Sequence, residues 1–338
     1  MLNGKSILIT GGTGSLGKHL TKIIYKKWPE VNRLVIFSRD EQKQYQMAQE
    51  YPEDKYPSIR FFIGDVRNKA RIKRAFENVE IVIHAAAMKH IPIAEYNPGE
   101  AILTNIIGAQ NVIDAALETK VQKVVALSTD KATAPTNLYG ATKLVSDKLF
   151  VAANNIKGSK DIRFSVVRYG NVMGSNGSVI PLFMKKRKEG VLPITDKSMT
   201  RFNISLDDGV KMVLYAVKHA LGGEIFIPKI SSFKITDLAK AISPKSKIKV
   251  IGIRHGEKLH EEMITETDSY NTIELDDYYI IVPSISYCYY KNDYLKHYNA
   301  EPVKRGFVYN SGKNTKWMSV ENIREKIKEH LYPDFKPE

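Results

Sequence analysis

A doubly wound parallel α/β sheet followed by a smaller C-terminal α/β lobe is the fold class this chain predicts, and three observations carry it. Short apolar runs without polar alternation recur between stretches of helical period, the pattern of parallel strands covered by helices on both faces. A glycine-rich turn, Gly11-Gly-Thr-Gly-Ser-Leu-Gly17, stands between the first apolar run and the first helical stretch. The alternation stops near Tyr169, and no repeat or low-complexity linker replaces it. Residues 1–170 therefore form the sheet domain, and 171–338 are expected to form mainly the lobe, with some return of chain to the sheet.

The elements follow in order. Six strands are expected: Ser6 to Thr10, Leu34 to Phe37, Ile59 to Ile63, Ile81 to Ile83, Val124 to Leu127 and Phe164 to Val167. A helix runs from the glycine turn through Lys27. In the second half, Ser205-Leu-Asp-Asp208 reads as a capping box opening an amphipathic helix to about His219. Short strands then follow from Glu224 to Ile227, Lys247 to Gly252 and Tyr278 to Val282.

Strand, glycine turn and helix come in the order a dinucleotide needs. Gly11, Gly14 and Gly17 let backbone pass close to a pyrophosphate, and the helix start offers unpaired N–H groups and a positive dipole end. The spacing is GxxGxxG, and alone it reads equally as a plain turn. The second strand ends in Phe37-Ser-Arg-Asp40. An acidic residue there would bond the ribose hydroxyls of NAD, and a basic one would accept the 2′-phosphate of NADP. Ser38 and Arg39 favour NADP, Asp40 keeps NAD open, and Arg39 reads otherwise as a surface charge. Gly64-Asp65-Val66 would frame an adenine, and His84-Ala-Ala-Ala87 would let a cofactor approach the backbone; both also read as ordinary turns. Asn105, in a predicted helix, reads by itself as a solvated or capping polar residue.

Ser128-Thr-Asp-Lys131 and the pair Tyr139 and Lys143 place an acid, two candidate bases and a cofactor clamp within sixteen residues. Tyr139 and Lys143 sit at i and i+4, so on a helix they share a face, and a nearby ammonium would lower the phenol's pKa. The spacing alone also describes a solvated helix.

Taken with Arg168-Tyr-Gly-Asn-Val172, Met199-Thr-Arg-Phe202 and Gly256-Glu-Lys-Leu-His-Glu261, these motifs make the chain resemble the extended short-chain dehydrogenase/reductases. The resemblance is closest to the inverting UDP-N-acetylglucosamine 4,6-dehydratases that open pseudaminic acid biosynthesis. Thr129-Asp130-Lys131 is its most specific part, since dehydratases that retain configuration at C5 put a Glu after the Asp. The resemblance implies a Rossmann-type sheet and NADP held by Gly11, Thr13, Gly14, Ser15, Leu16, Gly17, Ser38, Arg39, Asp40, Lys43, Asp65, Val66, Ala85, Ala86, Ala87, Asn105, Tyr139 and Lys143. UDP-N-acetylglucosamine would meet Lys89, Asn171, Val179, Ile180, Thr195, Arg201, Arg254 and Glu257. Tyr139 would take the 4-hydroxyl proton and Lys143 would hold the ribose. Lys131 would remove C5–H if its surroundings bring its pKa toward neutrality, Asp130 would protonate the leaving C6 hydroxyl, and Thr129 would bond the 4-oxygen. Arg201 and Arg254 suit a diphosphate; read singly, either is equally an ion-pair partner.

The net charge of +14 and the run Lys185-Lys-Arg-Lys188 raise nucleic acid or membrane as partners. The run lacks interleaved aromatics and follows an apolar helical stretch, so it reads as a solvated face, and a positive field would instead gather anionic cofactor and substrate. The single cysteine, Cys288, excludes an internal disulfide. No apolar stretch long enough to span a membrane and no secretory leader is visible, so a cytoplasmic protein without a membrane anchor is expected. No metal site is expected, His255 and His260 reading as surface or satisfied residues. The tyrosines from Tyr287 to Tyr298 read as packing or a contact in a homo-oligomer. Two rivals stand: a nucleotide-sugar 4-epimerase, which has no use for Asp130 and Lys131, and a non-catalytic cofactor-binding regulator, free to lose Tyr139 or Lys143.

Overall fold

The computed structural model describes residues 1–174, 178–254 and 256–338. Six parallel strands form the frame: β1 (Ser6–Thr10), β2 (Arg33–Ser38), β3 (Ile59–Ile63), β4 (Ile81–His84), β5 (Lys123–Thr129) and β6 (Arg163–Tyr169). They lie in the order β3-β2-β1-β4-β5-β6. Leu8 on β1 faces Val35 on one side and Val82 on the other. Ile7, Leu8 and Ile9 are wholly buried, which explains why the run shows no polar alternation: both faces are covered.

Ile7, Ile9 and Ile36 pack with Leu20 and Ile24 of helix Ser15–Lys27 and Val213 of helix Leu206–His219. On the other face Leu8, Val35 and Val124 pack with Val112 of helix Gly108–Leu117 and Phe150 of helix Leu138–Ala152. The strand order reverses between β1 and β4, which opens a crevice at their C-terminal ends.

Four further strands extend this sheet to ten. Ile225–Pro228 pairs parallel to β6, and Tyr278–Ile281 pairs antiparallel to Ile225–Pro228, followed by Thr272–Glu274 and Glu301–Pro302. Two strands expected in the second half thus join the main sheet, because Phe226 and Ile280 drop into its core. The expected strand from Lys247 pairs instead with Val191–Ile194, in a lobe with its own core of Ile180, Phe183, Leu192, Leu238, Ile242 and Ile323. Thr200–Ile204 connects the two regions, pairing parallel with Asn171–Val172 just after β6. Ser205 caps the helix that follows by accepting from the Asp208 N–H at 3.1 Å. That bond is half of the expected capping box; the Asp208 carboxylate accepts from the Ser205 hydroxyl at 2.6 Å.

Of the Lys185–Lys188 run, Lys185 and Lys188 are exposed, as expected of a solvated face, while Lys186 pairs with Glu189. Arg187 donates to the Lys336 carbonyl and pairs with Glu338, tying down the C-terminal tail. Among the described residues no helix is long and apolar enough to cross a membrane.

Candidate active site

The glycine turn after β1 is shaped by close contacts. Gly11 has φ +65°, and a Cβ there would lie 2.9 Å from the Ala86 nitrogen. A Cβ on Gly17 would fall against the Gly12 carbonyl, so the helix begins directly on the turn. No side chain caps that helix at Gly14, and the N–H groups of Ser15, Leu16 and Gly17 open its first turn. The Thr13 hydroxyl donates to Ser38 Oγ at 3.0 Å, joining the turn to the end of β2.

Asp40 has a structural task. It caps helix Glu41–Glu50 by accepting from the Lys43 N–H at 3.0 Å and pairs with the Lys43 ammonium at 2.8 Å, which holds its carboxyl below the usual range. Arg39 stays 67% exposed, its guanidinium 3.9 Å from Asp65. Asp65 itself is bound to Arg67 at 2.7 Å. Val66 is buried against Gly108. After β4, the N–H groups of Ala85 and Ala86 donate to Thr10, while Ala87 is exposed. The Thr10 hydroxyl also meets His84 Nδ1 at 2.8 Å.

Asn105 is neither solvated nor a cap. It lies buried in one turn of π-helix, Leu103–Ile107, where its carbonyl accepts from the Met88 N–H at 2.8 Å. Its amide donates to the Met88 carbonyl and, at 3.0 Å, to Thr142 Oγ1, fastening the segment after β4 to the helix of Tyr139 and Lys143. The helix assignment alone could not show that partner.

β5 ends at Thr129, and Asp130–Ala132 make a single tight turn before helix Leu138–Ala152, capped by Asn137. The Thr129 hydroxyl donates to Asp130 Oδ1 at 3.0 Å. The Lys131 ammonium reaches Asp130 Oδ1 at 3.0 Å, Glu261 Oε1 at 3.2 Å and Asn171 Oδ1 at 3.3 Å. Asp130 and Glu261 are buried, and each leaves one carboxylate oxygen without a partner among the described residues. Burial pushes the Asp130 carboxyl up, with Glu261 adding to it and Lys131 opposing.

Two expectations are corrected here. Burial alone would bring Lys131 toward neutrality, but the carboxylates of Asp130 and Glu261 outweigh it and raise its pKa above the ordinary lysine value. Tyr139 is pushed up to about 12 by burial, and the groups that pull it down are Lys131 and Thr129, not Lys143. Lys143 is itself buried and lowered, with Asp147 one turn along the helix acting against the shift. Asp147 accepts from Ser128 Oγ at 2.7 Å, which joins the helix to β5.

The expected substrate residues divide into groups. Thr195 donates to Glu257 Oε2 at 3.2 Å, and Glu257 also accepts from the Arg254 N–H, so these three stand together with Arg254 exposed. Arg201 is held by other partners. Its Nη1 donates to the carbonyls of Thr200 and Leu259 and its Nε stands 3.7 Å from Glu261, so part of the fork expected to grip a diphosphate is engaged within the protein. Val179 and Ile180 open helix Val179–Lys186; the Ile180 side chain is buried in the lobe core, which leaves backbone N–H groups as its polar offer. Lys89 is exposed after β4.

Glu261 was missed as a site residue, and its place beside Lys131 was not readable because nothing local links Gly256–Glu261 to β5. His260 is satisfied by Thr200 Oγ1 at 2.8 Å, and His255 lies outside the described residues. Among the described residues no His, Cys, Asp and Glu cluster could hold a metal. A cavity of about 520 Å³, lined by Asn203, Lys229, Tyr278, Trp317 and His330 among others, includes none of the catalytic candidates.

Comparison with known proteins adds the family. A model described as polysaccharide biosynthesis protein matches residues 7–283. The inverting UDP-N-acetylglucosamine 4,6-dehydratase of Campylobacter jejuni is 57% identical over 97% of this chain and 98% of its own length. A UDP-glucose 4-epimerase of Rickettsia canadensis is 45% identical over 83% of this chain and 84% of its own. Among solved structures, that of Pen from Bacillus thuringiensis is 40% identical, with a TM-score of 0.87, covering 97% of this chain and 99% of that one. The chain therefore belongs to the polysaccharide biosynthesis protein family, and within it to the inverting UDP-N-acetylglucosamine 4,6-dehydratases.

Proposed function

We propose that the protein is a cytoplasmic hydro-lyase acting on UDP-N-acetylglucosamine, with inversion at C5, and that its product is UDP-2-acetamido-2,6-dideoxy-β-L-arabino-hex-4-ulose. That product suits the first step toward pseudaminic acid or a related deoxy-amino-sugar. The observation that carries this reading is the buried Asp130–Lys131 pair on the turn after β5, facing the Tyr139 helix.

A nicotinamide dinucleotide fits the crevice, because the Gly11 cradle excludes a Cβ and the helix at Ser15 presents uncapped N–H groups. NADP is the form Arg39 favours, since its exposed guanidinium ends β2 while Asp40 is occupied as a cap. When bound, the cofactor supplies hydride chemistry, oxidising the sugar at C4 and reducing it at C6.

Tyr139 accepts the proton of the sugar 4-hydroxyl as its phenolate, the form that burial disfavours and that Lys131 and Thr129 favour, and Lys143 holds the ribose. Thr129 hydrogen-bonds the 4-oxygen. The resulting ketone acidifies C5–H. Lys131 begins as an ammonium, and its proton can pass to Asp130 Oδ1 across 3.0 Å. That single transfer creates both groups the elimination needs: an amine to take C5–H and a carboxylic acid to protonate the C6 hydroxyl as it leaves as water. Protonation of C5 from the opposite face then inverts it. Residues 171–338 supply most of the nucleotide-sugar contacts, with Thr195, Arg254 and Glu257 as one group and Asn171 beside Lys131. A homo-oligomer is the working assembly in this reading.

The Rickettsia relative keeps one rival in view, the 4-epimerase, which uses Tyr139 and Lys143 alone. Incubation with UDP-N-acetylglucosamine and no added cofactor, followed by mass spectrometry, separates the two. A product lighter by one water is expected. A nucleotide sugar of unchanged mass would sink the dehydratase reading.

A further inference from the structure

We propose that Glu261 is a positioning residue for this dehydration: its carboxylate shares the Lys131 ammonium with Asp130 and so makes Asp130, not Glu261, the group that takes the Lys131 proton. The inference rests on the dehydratase reading.

The geometry is that of one ammonium between two carboxylates, at 3.0 Å from Asp130 and 3.2 Å from Glu261. Both acids are buried, and among the described residues both keep one oxygen without a partner. Two carboxylates held beside one ammonium repel each other, and moving the Lys131 proton onto one of them lowers that repulsion. Arg201 decides where that proton goes. Its Nε stands 3.7 Å from Glu261 Oε1, so Glu261 has two cations beside it and keeps its charge. Among the described residues Asp130 bonds to Lys131 and the Thr129 hydroxyl, with Lys258 farther off. The groups facing Glu261 are therefore Lys131, Arg201, Asp130 and, farther off, Lys258. Its backbone is fixed as well, the N–H donating to Ser311 Oγ at 2.9 Å and the carbonyl accepting from the Ser311 N–H at 2.8 Å.

Glu261 thus raises the proton affinity of both working groups. Without its charge, Lys131 and Asp130 both give up protons more readily, and both limbs of the pH–rate profile move to lower pH. A merely structural glutamate would change the height of the profile and leave its limbs in place.

The test is kcat against pH for wild type, Glu261→Gln and Glu261→Asp, with UDP-N-acetylglucosamine as substrate and loss of water followed by mass spectrometry. In Glu261→Gln both limbs are expected about one unit or more below wild type. In Glu261→Asp, whose charge is withdrawn by one methylene, a smaller shift in the same direction is expected. Limbs unmoved in Glu261→Gln, with turnover lowered evenly at every pH, would overturn the proposal. If Glu261→Gln fails to fold by circular dichroism, the Glu261→Asp profile decides alone, and unmoved limbs there overturn it. A wild-type enzyme that removes no water from the substrate at any pH would instead overturn the dehydratase reading together with this inference.

Discussion

Asp147 accepts from the Arg168 guanidinium at 3.1 Å, in a pair whose side chains are only 2% and 4% exposed. The pair ties helix Leu138–Ala152 to β6, and the Ser128 bond ties it to β5, so one carboxylate fixes the helix that carries Tyr139 and Lys143. Asp147→Ala leaves a buried guanidinium without its counter-charge, a defect that costs about 3–5 kcal/mol. Urea unfolding should show a loss of that size, and a loss well below it would mean that Arg168 finds another partner, such as the Met263 carbonyl it already reaches.

Gly17→Ala puts a methyl group against the Gly12 carbonyl. Backbone cannot swing aside as a side chain does, so helix Ser15–Lys27 must move off the turn at about 1–3 kcal/mol. The expected signs are a lower melting temperature and weaker NADP binding by titration calorimetry. Cofactor affinity equal to wild type would detach the helix start from the cofactor site.

Stability should fall on acidification through His84. It is buried, and burial followed by the charge of Lys143 depresses its pKa to about 3 from the usual 6.5. Below pH 6.5 the unfolded chain takes up the proton while the folded one does not, so this contribution is full above 6.5 and declines as the pH falls toward 3. The slope for one such group is about 1.4 kcal/mol per pH unit. Urea unfolding at pH 7 and pH 5 should show a shallower decline in His84→Gln than in wild type; equal declines would remove His84 from the account.

Arg39→Asp should weaken NADP binding by about 1.5–3 kcal/mol, the range for a hydrogen bond to a charged group, and leave NAD binding little changed. An unaltered NADP dissociation constant would place the preference elsewhere.

Lys131→Ala and Tyr139→Phe should fail at different stages. Lys131→Ala keeps Tyr139 and should still oxidise C4, more slowly because the charge that lowers the Tyr139 pKa is gone, so that bound NADPH accumulates, visible by absorbance, with little dehydrated product. Tyr139→Phe loses the first base, a change worth about 10²–10⁴-fold, and should accumulate no NADPH. Wild type in D₂O should place deuterium at C5 with L-arabino coupling constants. Hydrogen retained at C5 from the substrate, or D-xylo product at the earliest times, would rule out the inverting route.

Local pattern by itself determined the elements and the chemistry-bearing motifs of this protein. An apolar run such as Ile7–Ile9 has to be buried on both faces, a turn such as Gly11–Gly17 has to lie against other backbone, and Thr129 to Lys131 are neighbours in the chain whatever the fold. Which strand lies beside which was not local. The runs containing Phe226 and Ile280 announce strands, yet only packing against the main core sends them to its sheet. Charge environments were decided the same way. Lys131 looked like a lysine that burial would neutralise until Glu261, far along the chain, arrived 3.2 Å from its ammonium. Asn105 read as a solvated or capping residue until Met88 and Thr142 closed around it, and Arg201 read equally as a diphosphate fork or an ion-pair partner until Glu261 and two carbonyls stood beside it. The physical reason is common to all of them: secondary structure follows from neighbours a few residues away, whereas a pKa or a hydrogen-bond partner depends on groups within a few ångströms, and only the folded chain brings those groups together.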